Sequence, residues 1–147
     1  MLLWNPTWPI VIIALDAGGR ALMTRDMELI RKIVAEIRAR DTTRPQTLDI
    51  LDVDPAVLAR HIELLHDAGL IEAIKSEPFN APYPTIMVKD LSWAGHDFAA
   101  AIENEGVWSK IKQAFSAKEL SALPLSVVKT VGIGLLEQLA KAKLGLP

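Results

Sequence analysis

Residues 54–91, DPAVLARHIELLHDAGLIEAIKSEPFNAPYPTIMVKDL, pass from a helical to a strand pattern within one short stretch. Asp54 is a good helix N-cap, and Pro55 suits the first helical position because its missing N–H would be unpaired there anyway. Gly69 can close the far end. Leu58, Ile62 and Leu65 fall on one face, so the spacing predicts a helix over Asp54–Ala68 with an aliphatic inner stripe. Two β-type runs follow, Leu70–Lys75 and Thr85–Leu91, around the tip Ser76–Pro84, and together they predict a hairpin. Pro78, Pro82 and Pro84 stiffen the tip and keep it from extending either strand.

Upstream, Met27, Ile30, Ile33, Val34 and Ile37 recur at three and four residues, the period of a first helix from Arg25 to near Asp41. Between the two helices, Thr42–Val53 has Leu48, Leu51 and Val53 as its apolar positions. That segment suits a short helix plus a turn and equally a short strand at Thr47–Leu51, since propensity does not separate the two. Helix, helix and hairpin in this order predict an α+β, mainly α fold: a winged helix-turn-helix with a two-stranded wing and a C-terminal helical extension. In that extension Ser92 caps a helix to about Glu105 with Gly106 as its stop, and Val107–Phe115 continues helically. Pro124 precedes a last helix, Leu125–Leu144, whose stripe of Val128, Val131, Leu135 and Leu139 either wraps the core or meets a second copy of the chain.

The chain has 147 residues, half of them hydrophobic, enough to bury a core and too apolar for a disordered tail protein. With no cysteine, a disulfide framework, a Cys zinc site, a thiolate nucleophile and an iron–sulfur cluster are excluded. Residues 1–22 differ from the rest. Their apolar run Ile10–Leu15 is far shorter than the ~20 residues a bilayer span needs, and nothing basic precedes it as in a signal peptide. They read as an N-terminal extension clipped readily near Gly18–Arg25, with the domain over residues 23–147; the alternative is an arm that packs Trp4 and Trp8 on the domain. A cytoplasmic location is expected.

Charge argues against an ordinary DNA reader, whose affinity rests on Lys and Arg neutralising phosphates. Thr42–Ser92 carries four basic residues, Arg44, Arg60, Lys75 and Lys89, against eight acidic ones, and the positive excess falls in Val107–Pro147. The wing tip has no Lys or Arg. Arg44, Arg60 and His66 are the residues available for DNA contact, Arg60 through a base edge. Phe79 and Tyr83 on the proline-rimmed tip suit a protein contact, unless they fold back onto the hairpin.

Catalytic and ligand patterns are weak. His61 and His66 are five apart, which is not the i,i+4 spacing of a helical metal site. His61 lies beside the Leu58/Leu65 stripe and reads as a packed or hydrogen-bonded residue at the core edge, and His66 as a surface residue near the helix end. His96 is of a type that titrates near neutrality, but no serine or carboxylate stands at a persuasive spacing from it. Gly132-Ile133-Gly134 lacks the third glycine and the preceding strand of a dinucleotide site. No catalytic residue, metal or cofactor is expected.

Three blocks, Arg25-Asp26-Met27-Glu28-Leu29-Ile30-Arg31-Lys32-Ile33, then His61-Ile62 with Leu64-Leu65 and Ala68-Gly69-Leu70-Ile71, then Leu91-Ser92-Trp93-Ala94-Gly95-His96-Asp97-Phe98, resemble a bacterial and prophage family of small proteins of unknown function. Typical members read R-D-M-D-L-I-R-K-I and L-T-W-x-G-H-E-F. The resemblance runs from Met23 to about Leu146, and implies a winged-helix-like fold and a bacterial or prophage setting without transferring any catalytic residue. The function expected is a non-enzymatic regulatory or adaptor module acting through protein contacts or self-association; the alternative is a sequence-specific DNA-binding transcriptional regulator. Neither a membrane nor a small-molecule ligand is expected as partner.

Overall fold

A computed structural model describes residues 24–147, together with two short strands before them. Those strands, β1 (Ala14–Leu15) and β2 (Ala21–Leu22), pair antiparallel. The extension expected over residues 1–22 and its cleavage site otherwise lie outside the described residues.

Helix α1 (Met27–Arg38) starts where the Asp26 carboxylate accepts from the N–H groups of Glu28 and Leu29. Helix α2 (Pro55–Asp67) starts in the same way on Asp54, which accepts from Ala56 and Val57. Gly69 follows it with a φ of 73°, a left-handed conformation that a Cβ would oppose. Strands β3 (Ile71–Ser76) and β4 (Thr85–Leu91) then pair antiparallel, Ile71 opposite Leu91 and Ser76 opposite Thr85, with a bulge between Glu72 and Ala73.

The linker Thr42–Val53 forms neither the helix nor the strand that its sequence left open. Its regular pairing is one antiparallel bridge, Gln46 with Val88, through hydrogen bonds of 3.0 and 2.7 Å. Thr42, Thr43 and Thr47 disfavour a helix by their branched side chains, and Pro45 has no N–H to extend the bridge into a ladder. The Arg40 guanidinium instead donates to the carbonyls of Val88 (2.9 Å) and Thr47 (3.3 Å), holding the linker against β4.

Helix α3 (Trp93–Glu103) begins on Ser92, as its sequence predicts, but its end is Asn104 rather than Gly106. Asn104 is extended, and its side chain accepts from Val107 N–H at 3.1 Å, so one residue ends α3 and caps α4 (Glu105–Ala114). Gly106 lies inside that first turn. A further helix, α5 (Ala117–Ala122), stands on a capping box between Ser116 and Glu119, and α6 (Leu125–Lys143) closes the chain. The fold is thus mainly helical α+β: among the described residues, six helices with a hairpin between α2 and α3 and a long C-terminal helix.

One core joins these elements. Ile30, Ile33, Val34 and Ile37 of α1 meet Leu58, Ile62 and Leu65 of α2, Ile86, Val88 and Leu91 of β4, Phe98 and Ile102 of α3, and Ile111 of α4. Each large aliphatic buried in this way contributes about 1.5–3 kcal/mol before conformational entropy is subtracted. Helix α6 covers the core through Val128 and Gly132, the glycine lying where a Cβ would sit 3.4 Å from that of Ala101. Val131, Leu135 and Leu136 are partly buried beside them. No helix of the described residues is long and apolar enough to cross a membrane.

Candidate interaction surface

Most polar residues of the first two sequence blocks hold the fold together. The Arg25 guanidinium donates to the carbonyls of Leu120 (2.8 Å) and Leu123, at the end of α5. Asp26 N–H donates to His61 Nε2 at 2.9 Å, while His61 Nδ1–H donates to the Val57 carbonyl at 2.8 Å. His61 is fully buried, and desolvation holds its imidazole below the ordinary value of 6.5 and therefore neutral. Glu28 accepts from Trp108 Nε1 at 3.3 Å, and Arg31 donates to the Ile102 carbonyl at 2.7 Å while lying 5.2 Å from the centre of the Trp108 ring.

The surface available for recognition follows from the direction of β3. Leu70 N–H bonds the Leu65 carbonyl at the end of α2, and Lys75 Nζ lies 2.9 Å from Glu63 in the middle of that helix. The hairpin therefore runs back along α2, and its tip points towards the end where α2 begins. Two turns project apolar side chains there. In Pro78–Ala81, closed at 3.1 Å, Asn80 has a φ of 63° and Phe79 at the apex is 94% exposed. In Ile50–Val53, closed at 3.3 Å, Asp52 has a φ of 64° and Leu51 at the apex is 89% exposed.

Phe79 does not fold back, whereas Tyr83 is 38% exposed. Ile74 and Met87, direct cross-strand partners, are both exposed on the hairpin's outer face. Pro55 is exposed at the start of α2, with Ala56 and Ala59 half-buried behind it. The sequence pointed to the tip through Phe79 and Tyr83 but missed Leu51, Ile74 and Met87. The signal for Leu51 was the Leu-Asp pair, since Asp tolerates the left-handed position that a turn requires.

The residues singled out for DNA contact sit apart. Arg60 pairs with Glu63 on the same helix, and Glu63 also takes Lys75, whose hydrogen bond holds its carboxyl below the usual carboxylate range. Arg44 is exposed in the linker, with its backbone N–H on Thr42 Oγ1. His66 is half-buried at the far end of α2, with Nδ1 3.9 Å from Asp67. His96, by contrast, has a carboxylate within reach after all: Asp90 Oδ2 lies 3.5 Å from its Nε2 across the corner between β4 and α3. Among the described residues no group of three or more His, Asp or Glu side chains is placed to hold a metal ion.

Comparison with known proteins places residues 24–121 in the family described as Hypothetical protein (DUF2513). That match stops short of α6, which the resemblance read from the sequence had included. An uncharacterized protein of Haemophilus influenzae is 30% identical over 119 residues, covering 80% of this chain and 98% of its own length. No solved structure matches the chain.

Proposed function

The chain belongs to the DUF2513 family of hypothetical proteins, and from that premise we propose that it is a non-enzymatic winged-helix module that binds another protein where Leu51 and Phe79 project. The observation that carries this reading is the pair of almost fully exposed apolar side chains, each held at a turn apex at the same end of α2. Apolar groups held out at backbone turns suit a partner's pocket, because the turn already sets where each side chain is presented and burial returns the hydrophobic term. The Gln46–Val88 bridge supports the winged-helix reading, since it adds a third element beside β4. A regulatory or adaptor role in a bacterial or prophage setting is part of the same proposal.

Charge favours protein over DNA as the partner. Asp52 stands beside Leu51 and Glu77 two residues before Phe79, both exposed, and Asp54 opens α2. Arg60, the one arginine of α2, which has no lysine, shares its charge with Glu63. A duplex brought to this end would meet carboxylates where phosphate contacts need cations.

The test is affinity capture from a bacterial lysate, with wild type compared against Leu51→Ala and against Phe79→Ala combined with Tyr83→Ala. Wild type is expected to retain a protein that resists nuclease treatment. Both variants are expected to lose at least nine-tenths of it while their melting temperatures stay unchanged. Retention of duplex DNA that depends on Arg60 and falls steeply with salt would establish the regulator reading instead. A turnover abolished by His96→Ala at unchanged melting temperature would establish an enzyme.

A further inference from the structure

The block Leu91–Phe98 divides between side chains that build the fold and side chains that leave it. Ser92 Oγ caps α3 by accepting from Gly95 N–H at 3.0 Å and donates to the Gly69 carbonyl at 2.6 Å. Gly95 lies so close to α2's end that a Cβ there would sit 1.8 Å from the Leu70 carbonyl oxygen, and Phe98 is fully buried. Trp93 has no such part. It is 88% exposed in the first turn of α3, with exposed His96 and Asp97 three and four residues on and exposed Ala100 seven on. At helical spacing these four share one face.

The surroundings of the indole are anionic. The first two turns of α3, Trp93–Ala100, contain Asp97 and no Lys or Arg, whereas Glu103 at the far end of the helix is paired with Arg38. The Ser92 bonds set the start of α3 against the C-terminal end of α2, so the partial charges of the two helix ends oppose each other and the exposed Asp67 and Asp97 decide the sign. Glu72 and Asp90, opposite each other in the hairpin, flank the same corner. Arg38 and Arg40 line the same corner beside Asp90 and His96, but Arg38 is engaged by Glu103 and Arg40 by the carbonyls of Val88 and Thr47. Among the described residues no Lys or Arg pairs with Asp97 or Glu72.

We infer that this face of α3, Trp93 with Asp97, docks a cationic segment of a partner protein, with an Arg or Lys side chain laid on the indole. The ring face attracts a cation, and the attraction grows as the pair is shielded from water. Asp97 and the carboxylates at the hairpin foot compensate the charge that the partner brings. A duplex or an anionic lipid surface would be repelled by the same groups, which fixes the class of occupant. This face lies at the C-terminal end of α2, away from Leu51 and Phe79, and does not depend on what binds there.

The experiment titrates the full chain with a short peptide of alternating arginine and glycine, and with its glutamate counterpart, following amide chemical shifts and heat of binding. The arginine peptide is expected to bind, to shift signals of α3, and to weaken as salt rises; the glutamate peptide is expected not to bind. Trp93→Ala should weaken binding at least tenfold and Asp97→Asn several-fold, with Phe79→Ala unchanged. Trp93 is exposed, so its removal leaves the fold intact, which an unchanged melting temperature checks. Absence of binding by wild type, or equal binding by Trp93→Ala and wild type, would overturn the inference. The latter result would reduce the effect to general attraction by an acidic surface.

Discussion

His61 has both ring nitrogens engaged, one donating to Val57 within its own helix and the other accepting from the first residue of the α1 cap. Each proton position is fixed: a second proton on Nε2 would meet the Asp26 N–H head-on. The neutral ring is therefore built into the folded state, while the unfolded chain takes up a proton near 6.5. The folded value is depressed, so the stabilisation is complete above that pH and is lost as pH falls below it, at up to about 1.4 kcal/mol per pH unit for one proton. Urea unfolding at pH 7.5 and 5.5 should show wild type losing more stability on acidification than His61→Gln. The variant itself should be about 1–3 kcal/mol less stable at pH 7.5, because its side chain cannot satisfy both partners in the same geometry.

At the scale of elements, Asn104 shows how a side chain rather than a backbone preference breaks a helix. It turns the chain by lying extended and recovers an N–H of the next helix through its amide oxygen. Asn104→Ala is expected to lower stability by about 0.5–2 kcal/mol in denaturant unfolding, the range for loss of a cap. Gly106→Ala, inside the first turn, should change it far less. Glycine is the commoner helix terminator, which points to Gly106 in the sequence, but a polar acceptor two residues earlier outweighs it. Helix α2 and the strands around the hairpin were legible almost to the residue, since Asp54, Pro55, Gly69 and the proline-rich tip set boundaries through local chemistry. The linker was not, because two weak tendencies cancelled and a contact from Arg40 decided. The candidate surface was legible at Phe79, whose proline-rich context has no strand to fold into. Asp90 near His96 was hidden because spacing across a strand–helix corner follows no fixed period, unlike spacing along a helix.

For the whole molecule, the two proposals set a contact surface at each end of α2: the exposed Leu51 and Phe79 where it begins and the exposed Trp93 where it stops. The proposals make the chain a bridge between two partners rather than a surface for one. The Arg25 guanidinium, just before the cap of α1, ties the start of that helix to the last third of the chain. Deleting residues 116–147 removes both carbonyls that receive this guanidinium, along with α5 and α6. Such a fragment should lose the single cooperative unfolding transition of the full chain, with tryptophan fluorescence and circular dichroism no longer changing together.

The same reach has a consequence for biosynthesis. Arg25 and the Leu123 carbonyl are separated by 98 positions, so at usual elongation rates roughly 5–20 seconds pass between making the donor and making its acceptor. The partners of the apolar side of α1 on α2, β4 and α3 are made earlier in that interval, so the cation before α1 is the last of its contacts to be answered and the amino terminus the last part of the domain to be secured.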